Sequence, residues 1–161
     1  NGEAGNKTYS PKVLAVKELF DQAGIPYEIP EDMIRFLWWK YMVNVGINQS
    51  SAVLGAHYKV FHNDSNAREL MESAMLEVVE ITKKNGINLN RDDIRLWYEK
   101  LYKLSPDGRT SMLEDIENNR KTEVEMFGDT VCSLGEKYGV ETPVNRTLAR
   151  IIKVMENKAH V

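Results

Sequence analysis

Apolar residues recur at intervals of three and four along most of the chain, and almost nowhere at intervals of two. That spacing lines one face of an α-helix, whereas a half-buried strand needs strict alternation. Val13, Leu14, Val16, Leu19 and Phe20 make one such face after Ser10-Pro11, where Pro11 costs no hydrogen bond, and Gly24 supplies the stop. A second helix is predicted after Pro30, with Glu31 and Asp32 at its positive end, running through Trp38-Trp39 to about Leu54. Leu70, Ala74, Val78 and Ile81 mark a third over 65–85, and a fourth covers 91–104 ahead of the turn Ser105-Pro106-Asp107-Gly108. Ser111-Met112-Leu113-Glu114 has the form of a capping box and opens a fifth helix to about Phe127. Gly128 separates it from a sixth ending near Gly139, and Thr142-Pro143 begins a last helix through Leu148, Ile151, Ile152 and Met155. Ile25-Pro26-Tyr27-Glu28-Ile29 is the one credible strand, so the expected fold is an all-α bundle.

Composition narrows the function classes. The 161 residues suit one domain with a real core, and 42% hydrophobic with 28% charged residues is an ordinary soluble balance. A net charge of −3, without basic clusters interleaved with aromatics, argues against nucleic acid and acidic membranes as partners. No apolar run approaches the ~20 residues that span a bilayer. Cys132 is the single cysteine, so no intrachain disulfide forms, and the cytoplasm is the expected compartment. Four Asn-x-Ser/Thr tripeptides, at Asn6, Asn48, Asn63 and Asn145, are read as accidental. His57, His62 and His160 lack metal-ligand spacing, and no glycine-rich phosphate cradle occurs. The chain opens Asn1-Gly2-Glu3 without an initiator methionine, which predicts a segment of a longer protein.

Two stretches carry candidate chemistry. In Trp38-Trp39-Lys40-Tyr41-Met42-Val43-Asn44-Val45-Gly46-Ile47-Asn48, the residues Lys40, Asn44 and Asn48 are spaced by four and rise along one helix face. A cation followed by two amides suits an anionic, oxygen-rich small molecule; a solvated polar stripe is the plainer alternative. Further on, Met112, Ile116, Asn119, Glu123 and Met126 follow the spacing of a core stripe. A carboxylate on a packed face is costly unless paired. Glu123 therefore calls for a partner, either Lys40 from another helix or Arg120 or Lys121 nearby, unless the helix face is rotated. Ser111 reads as a helix N-cap, at a helix end that also suits an anion.

These residues resemble a known family. Leu37-Trp38-Trp39-Lys40, Asn44 and Asn48 are similar to the W-x-K-x-x-x-N-x-x-x-N signature that opens the C-terminal domain of ketopantoate reductases. Thr110-Ser111-Met112-Leu113-Glu114-Asp115 with Arg120 and Thr122-Glu123 resembles that family's S-S-M-x-x-D-x-x-x-x-R-x-T-E segment, and Gly139-Val140 with Thr142-Pro143 and Asn145 its closing piece. Glu77 and Gly86 fall where the family's intervening helix places them, so the resemblance covers roughly residues 31–155. It implies NADPH-dependent reduction of 2-dehydropantoate to pantoate, a step toward coenzyme A, in the cleft between a Rossmann domain and a helical domain. The helical domain would resemble the C-terminal domain of 6-phosphogluconate dehydrogenases. On that reading residues 1–29 are the tail of the Rossmann domain, its last helix and strand, and residues 30–161 are the substrate-binding and catalytic domain. Lys40 would be the general acid; Asn44, Asn48 and Ser111 would hold the substrate with it; Glu123 would contact the cofactor and help orient Lys40. NADPH would be bound mainly by the chain's own N-terminal Rossmann domain, so residues 1–161 alone would be inactive, and a homodimer is a further expectation.

One position departs from the pattern. Some ketopantoate reductases carry a further substrate-binding asparagine where Tyr58 stands here. The substrate is thereby left open between ketopantoate and another branched 2-keto acid reduced to a D-2-hydroxy acid. A non-catalytic helical module that dimerises or binds a small anion is the alternative from a different class.

Overall fold

The computed structural model describes residues 9–158 as a bundle of helices. Helix α1 (Pro11–Ala23) is followed by α2 (Met33–Leu54), α3 (Tyr58–Asn63), α4 (Ser65–Lys84), α5 (Arg91–Leu101) and α6 (Ser111–Glu117). A π-helical turn (Glu125–Asp129) leads into α7 (Thr130–Tyr138), and α8 (Pro143–Lys158) closes the fold. No described helix is long and apolar enough to cross a membrane.

The core is organised by α2 and α4. Met71, Ala74, Met75, Val78 and Ile81 of α4 are fully buried against Met42, Val45 and Ile47 of α2, with Phe127, Val131 and Ile152 closing the far side. Gly46 permits the close crossing, since a Cβ there would stand 2.5 Å from Met75 Cγ and 2.9 Å from the Met71 carbonyl oxygen. The start of α2 is tied to α5 by the Arg35–Asp93 ion pair at 2.6 Å and by Trp39 Nε1, which donates to the Asp93 carbonyl at 2.9 Å. At the other end Glu77 of α4, nearly buried, accepts from the backbone N–H groups of Val144 and Asn145 at 2.7 and 3.0 Å. It thus satisfies donors that the first turn of α8 cannot pair internally.

The expected strand over residues 25–29 is corrected. Residues 25–30 have no regular secondary structure, and the described residues contain no strand with which they could pair. Pro26 removes a ladder donor, Gly24 turns the chain with φ 65°, and the Tyr27 hydroxyl folds back onto Asp21 at 2.8 Å. The segment therefore doubles back on the last turn of α1 instead of joining a sheet. The expected remnant of a Rossmann domain falls with it: α1 is present, but no β structure accompanies it, and residues 1–8 lie outside the described residues. The predicted apolar face of α1 buries nothing here, and Leu14, Val16 and Leu19 stay exposed.

The predicted fifth helix is also corrected. It stops at Glu117, Asn119 adopts φ 53°, and the chain resumes only at the π-turn. Helix α3 is an element that the apolar spacing did not announce.

Candidate active site

Helix α2 carries the first three candidates in a graded series. Lys40 is exposed, Asn44 is half-buried, and Asn48 is buried with 7% of its surface exposed. Each step of four residues is about 6 Å of helix rise, so the stripe runs from solvent into the protein. The residues beside Lys40 fix its direction. Trp39 is bonded to α5, and the Tyr41 hydroxyl reaches the carbonyls of Met126 and Phe127 at 3.1 and 3.2 Å. With both neighbours turned inward, Lys40 faces outward, and its ammonium forms no ion pair among the described residues.

Ser111 meets this stripe at its deep end. Its Oγ is 3.5 Å from Asn48 Oδ1, the outer limit of a hydrogen bond, while Asn48 Nδ2 donates to the Asn44 carbonyl at 3.1 Å. The expected N-cap role belongs to Thr110, whose Oγ1 accepts from Leu113 N at 3.2 Å and donates to Ser51 Oγ at 3.1 Å. Ser51 in turn donates to the Ala56 carbonyl at 2.7 Å, so a buried hydroxyl pair joins the start of α6 to the end of α2. Ser111 is thereby released from capping and held opposite Asn48. The loop before it is backed by α3, where the N–H groups of Tyr58 and Lys59 donate to the Gly108 and Pro106 carbonyls at 3.0 and 2.8 Å. The half-buried Tyr58 ring lies against Gly108, and burial raises its phenol pKa.

Glu123 is exposed and makes no ion pair among the described residues, which corrects the expectation that it needs one. Arg120 is engaged with Glu114 and Asp115, and Lys121 with Glu125. The premise of a packed face assumed a continuous helix, and the break at 118–122 turns Glu123 to solvent. Its backbone is nonetheless fixed. Buried Thr122 donates through both N and Oγ1 to Glu156 of α8 at 2.7 Å, and the Glu123 carbonyl accepts from Met126 and Phe127 N at 3.0 and 3.1 Å.

The structure thus brings Asn48 and Ser111 together, and it leaves the charges of Lys40 and Glu123 unspent on two segments that Tyr41 joins. Two surface depressions of about 540 and 420 Å³ are lined by other residues, around Glu80 and Arg91 and around Ala56 and Leu70. The residues that frame the site, Thr110, Ser51, Tyr41 and Glu156, were not singled out from the sequence. A hydroxyl pair at Thr110-Ser111 was the only local signal for any of them.

Known proteins share this fold. Residues 32–156 match the family model described as the ketopantoate reductase PanE/ApbA C-terminal region. The 2-dehydropantoate 2-reductase of Aquifex aeolicus (strain VF5) is 30% identical over 159 residues, 96% of this chain and 51% of that protein. In three dimensions the chain is similar to the dimeric ketopantoate reductase from Staphylococcus aureus, with a TM-score of 0.82 at 18% identity over 94% of this chain and 53% of that one. It is equally similar to D-mandelate dehydrogenase solved with NADH and anilino(oxo)acetate, with a TM-score of 0.82 at 22% identity over 95% and 52% of the two chains. The chain spans about half the length of the curated relatives it matches. With its motif residues on α2 and α6 and the family match over 32–156, the chain belongs to the ketopantoate reductase family as a C-terminal domain.

Proposed function

We propose that residues 30–161 are the substrate-binding and catalytic domain of a reductase that converts 2-dehydropantoate to pantoate with NADPH. The observation that carries this reading is the α2 stripe: a free ammonium at Lys40, then Asn44, then Asn48 paired with Ser111. The remaining half of the relatives' length is where a dinucleotide-binding domain belongs, and the open surface around Lys40 is the wall it would face. The residues here fit one edge of the cofactor, since the exposed, unpaired Glu123 carboxylate suits ribose hydroxyls. A homodimer is the expected assembly, in line with the Staphylococcus aureus relative.

NADPH, when bound, supplies the hydride that reaches the ketone carbon. Lys40 donates a proton to the ketone oxygen, so the developing alkoxide becomes the product hydroxyl. Asn44, Asn48 and Ser111 offer amide and hydroxyl donors to the carboxylate and an acceptor to the substrate hydroxyl. Glu123 holds the cofactor edge and helps orient Lys40.

A second reading keeps the chemistry and changes the substrate. Tyr58 presents an aromatic ring against Gly108 in the loop before Ser111, which favours a branched or aromatic 2-keto acid over a hydroxylated one. Turnover of ketopantoate, 2-ketoisovalerate and phenylglyoxylate by the full-length enzyme separates the two. Ketopantoate as the best substrate supports the first reading, and ketopantoate as the poorest overturns it. The reading as a reductase fails if the segment preceding this chain lacks G-x-G-x-x-G after a strand.

A further inference from the structure

Two faces of α2 run side by side. Lys40, Asn44 and Asn48 form the candidate site, and the next residue after each, Tyr41, Val45 and Gln49, forms a face turned by about 100°. The second face meets the π-helical turn that follows Glu123. A π-turn lengthens the hydrogen-bond register by one residue, and here the Thr130 N–H reaches the Glu125 and Phe127 carbonyls. The Tyr41 hydroxyl meets the same turn, 3.1 Å from Met126 O and 3.2 Å from Phe127 O, and the Tyr41 and Phe127 rings are 6.2 Å apart.

At the other end of the face, Gln49 is fully buried. Its Nε2 donates to Val45 O at 2.9 Å and to Asn145 Oδ1 at 2.8 Å. Its Oε1 has no hydrogen-bond donor and stands 2.6 Å from where a Cβ of Gly128 would be, so the π-turn is pressed directly on the amide. Ala149 of α8 crowds the same point, with its Cβ also 2.6 Å away. The π-turn is therefore gripped from α2 at Met126 and Phe127 and again at Gly128, one grip adjoining Lys40 in sequence and the other adjoining Asn48.

We propose that Tyr41 and Gln49 are positioning residues, which through the π-turn set the distance between the Lys40 ammonium and the Glu123 carboxylate. The turn is continuous with Glu123, whose carbonyl accepts from Met126 and Phe127 N. Any rotation of α2 that moves Lys40 drags the same turn, so the two charges travel as one unit. This assignment rests on the proposed roles of Lys40 and Glu123.

The test is a double-mutant cycle on the full-length enzyme with ketopantoate and NADPH, using Tyr41→Phe, which keeps the ring, and Glu123→Gln. The expected result for Tyr41→Phe is a kcat lower by about fivefold, the worth of one hydrogen bond, with KM for the keto acid unchanged. In the Glu123→Gln background the same change should have no further effect on kcat. Gln49→Leu should reproduce the pattern. If Glu123→Gln impairs catalysis but Tyr41→Phe is silent, or lowers kcat equally in both backgrounds, the positioning role is wrong and the proposed function stands. If neither Lys40→Ala nor Glu123→Gln impairs catalysis, the proposed function fails and the positioning role with it.

Discussion

Glu77 offers the sharpest test of how the bundle is held together. Its carboxylate accepts from Val144 N, Asn145 N and Asn145 Nδ2 at 2.7, 3.0 and 2.6 Å, with only 9% of the residue exposed. Replacing it by alanine leaves the two backbone donors at the start of α8 without partners, while Asn145 Nδ2 keeps its bond to Ala74 O at 3.0 Å. An unsatisfied buried donor costs about 1–3 kcal/mol, so the pair amounts to roughly 4 kcal/mol. For a protein of this size that corresponds to a Tm lower by about 8–16 °C. Glu77→Gln retains one acceptor oxygen but turns an NH2 toward a donor, and about half the loss is expected. Urea unfolding of both variants, read by far-ultraviolet circular dichroism, measures this directly, with an unchanged m-value expected. A Glu77→Ala protein within about 1 kcal/mol of the parent, the range of ordinary substitutions, would refute the argument that α8 is anchored from α4.

Lys40→Ala in the full-length enzyme should lower kcat by about 10²–10⁴, the usual worth of a general acid, measured by NADPH oxidation. Gly46→Ala should destabilise the fold by roughly 1–3 kcal/mol, because its methyl meets Met75 Cγ and the Met71 carbonyl; a parent-like Tm would mean the α2–α4 crossing is looser than described. Residues 1–161 alone should oxidise no NADPH with any keto acid, and measurable turnover would overturn the two-domain reading. Asp64 caps α4, and the Ala67 N–H that it accepts holds its carboxyl pKa below the ordinary value. Its contribution to stability is therefore full above the unfolded carboxylate range and is lost as pH falls through the depressed value. A carbon-13 carboxyl titration should place its midpoint below that of a model aspartate.

Much of the helical frame is legible because its causes are local. Helices α4 and α8 each carry enough turns for the three-and-four spacing to stand out, α2 is marked by Pro30 and the acidic pair at its start, and Gly24, Gly55 and Gly139 end helices with positive φ. Where causes are not local, the pattern misleads. The six residues of α3 are too few to show a period, yet they back the loop before Ser111 through hydrogen bonds to Pro106 and Gly108. Over residues 25–29 the apolar side chains of Ile25, Tyr27 and Ile29 alternate as a strand's would, but only a neighbouring strand could supply the ladder. A π-turn shifts the register by a single residue, and Met112, Ile116, Asn119, Glu123 and Met126 keep a helical spacing across a segment that is not one helix.

The candidate site divides along the same line. Lys40, Asn44 and Asn48 are legible because one helix orders all three, and four-residue spacing is a local property. The features that give them chemistry are contacts across long stretches of chain. Thr110 and Ser111 are adjacent hydroxyls, and nothing between them decides which caps α6; Ser51, distant in sequence, decides it by pairing with Thr110. That choice leaves the Ser111 hydroxyl facing Asn48. Glu123 likewise gains its exposure from Thr122, which is held by Glu156, and from a π-turn gripped by Tyr41. Residue types at a site can thus be read from a helix face, whereas their freedom to act depends on which neighbours are already occupied. Lys40 and Glu123 remain available because Arg120, Lys121 and Glu156 are engaged elsewhere.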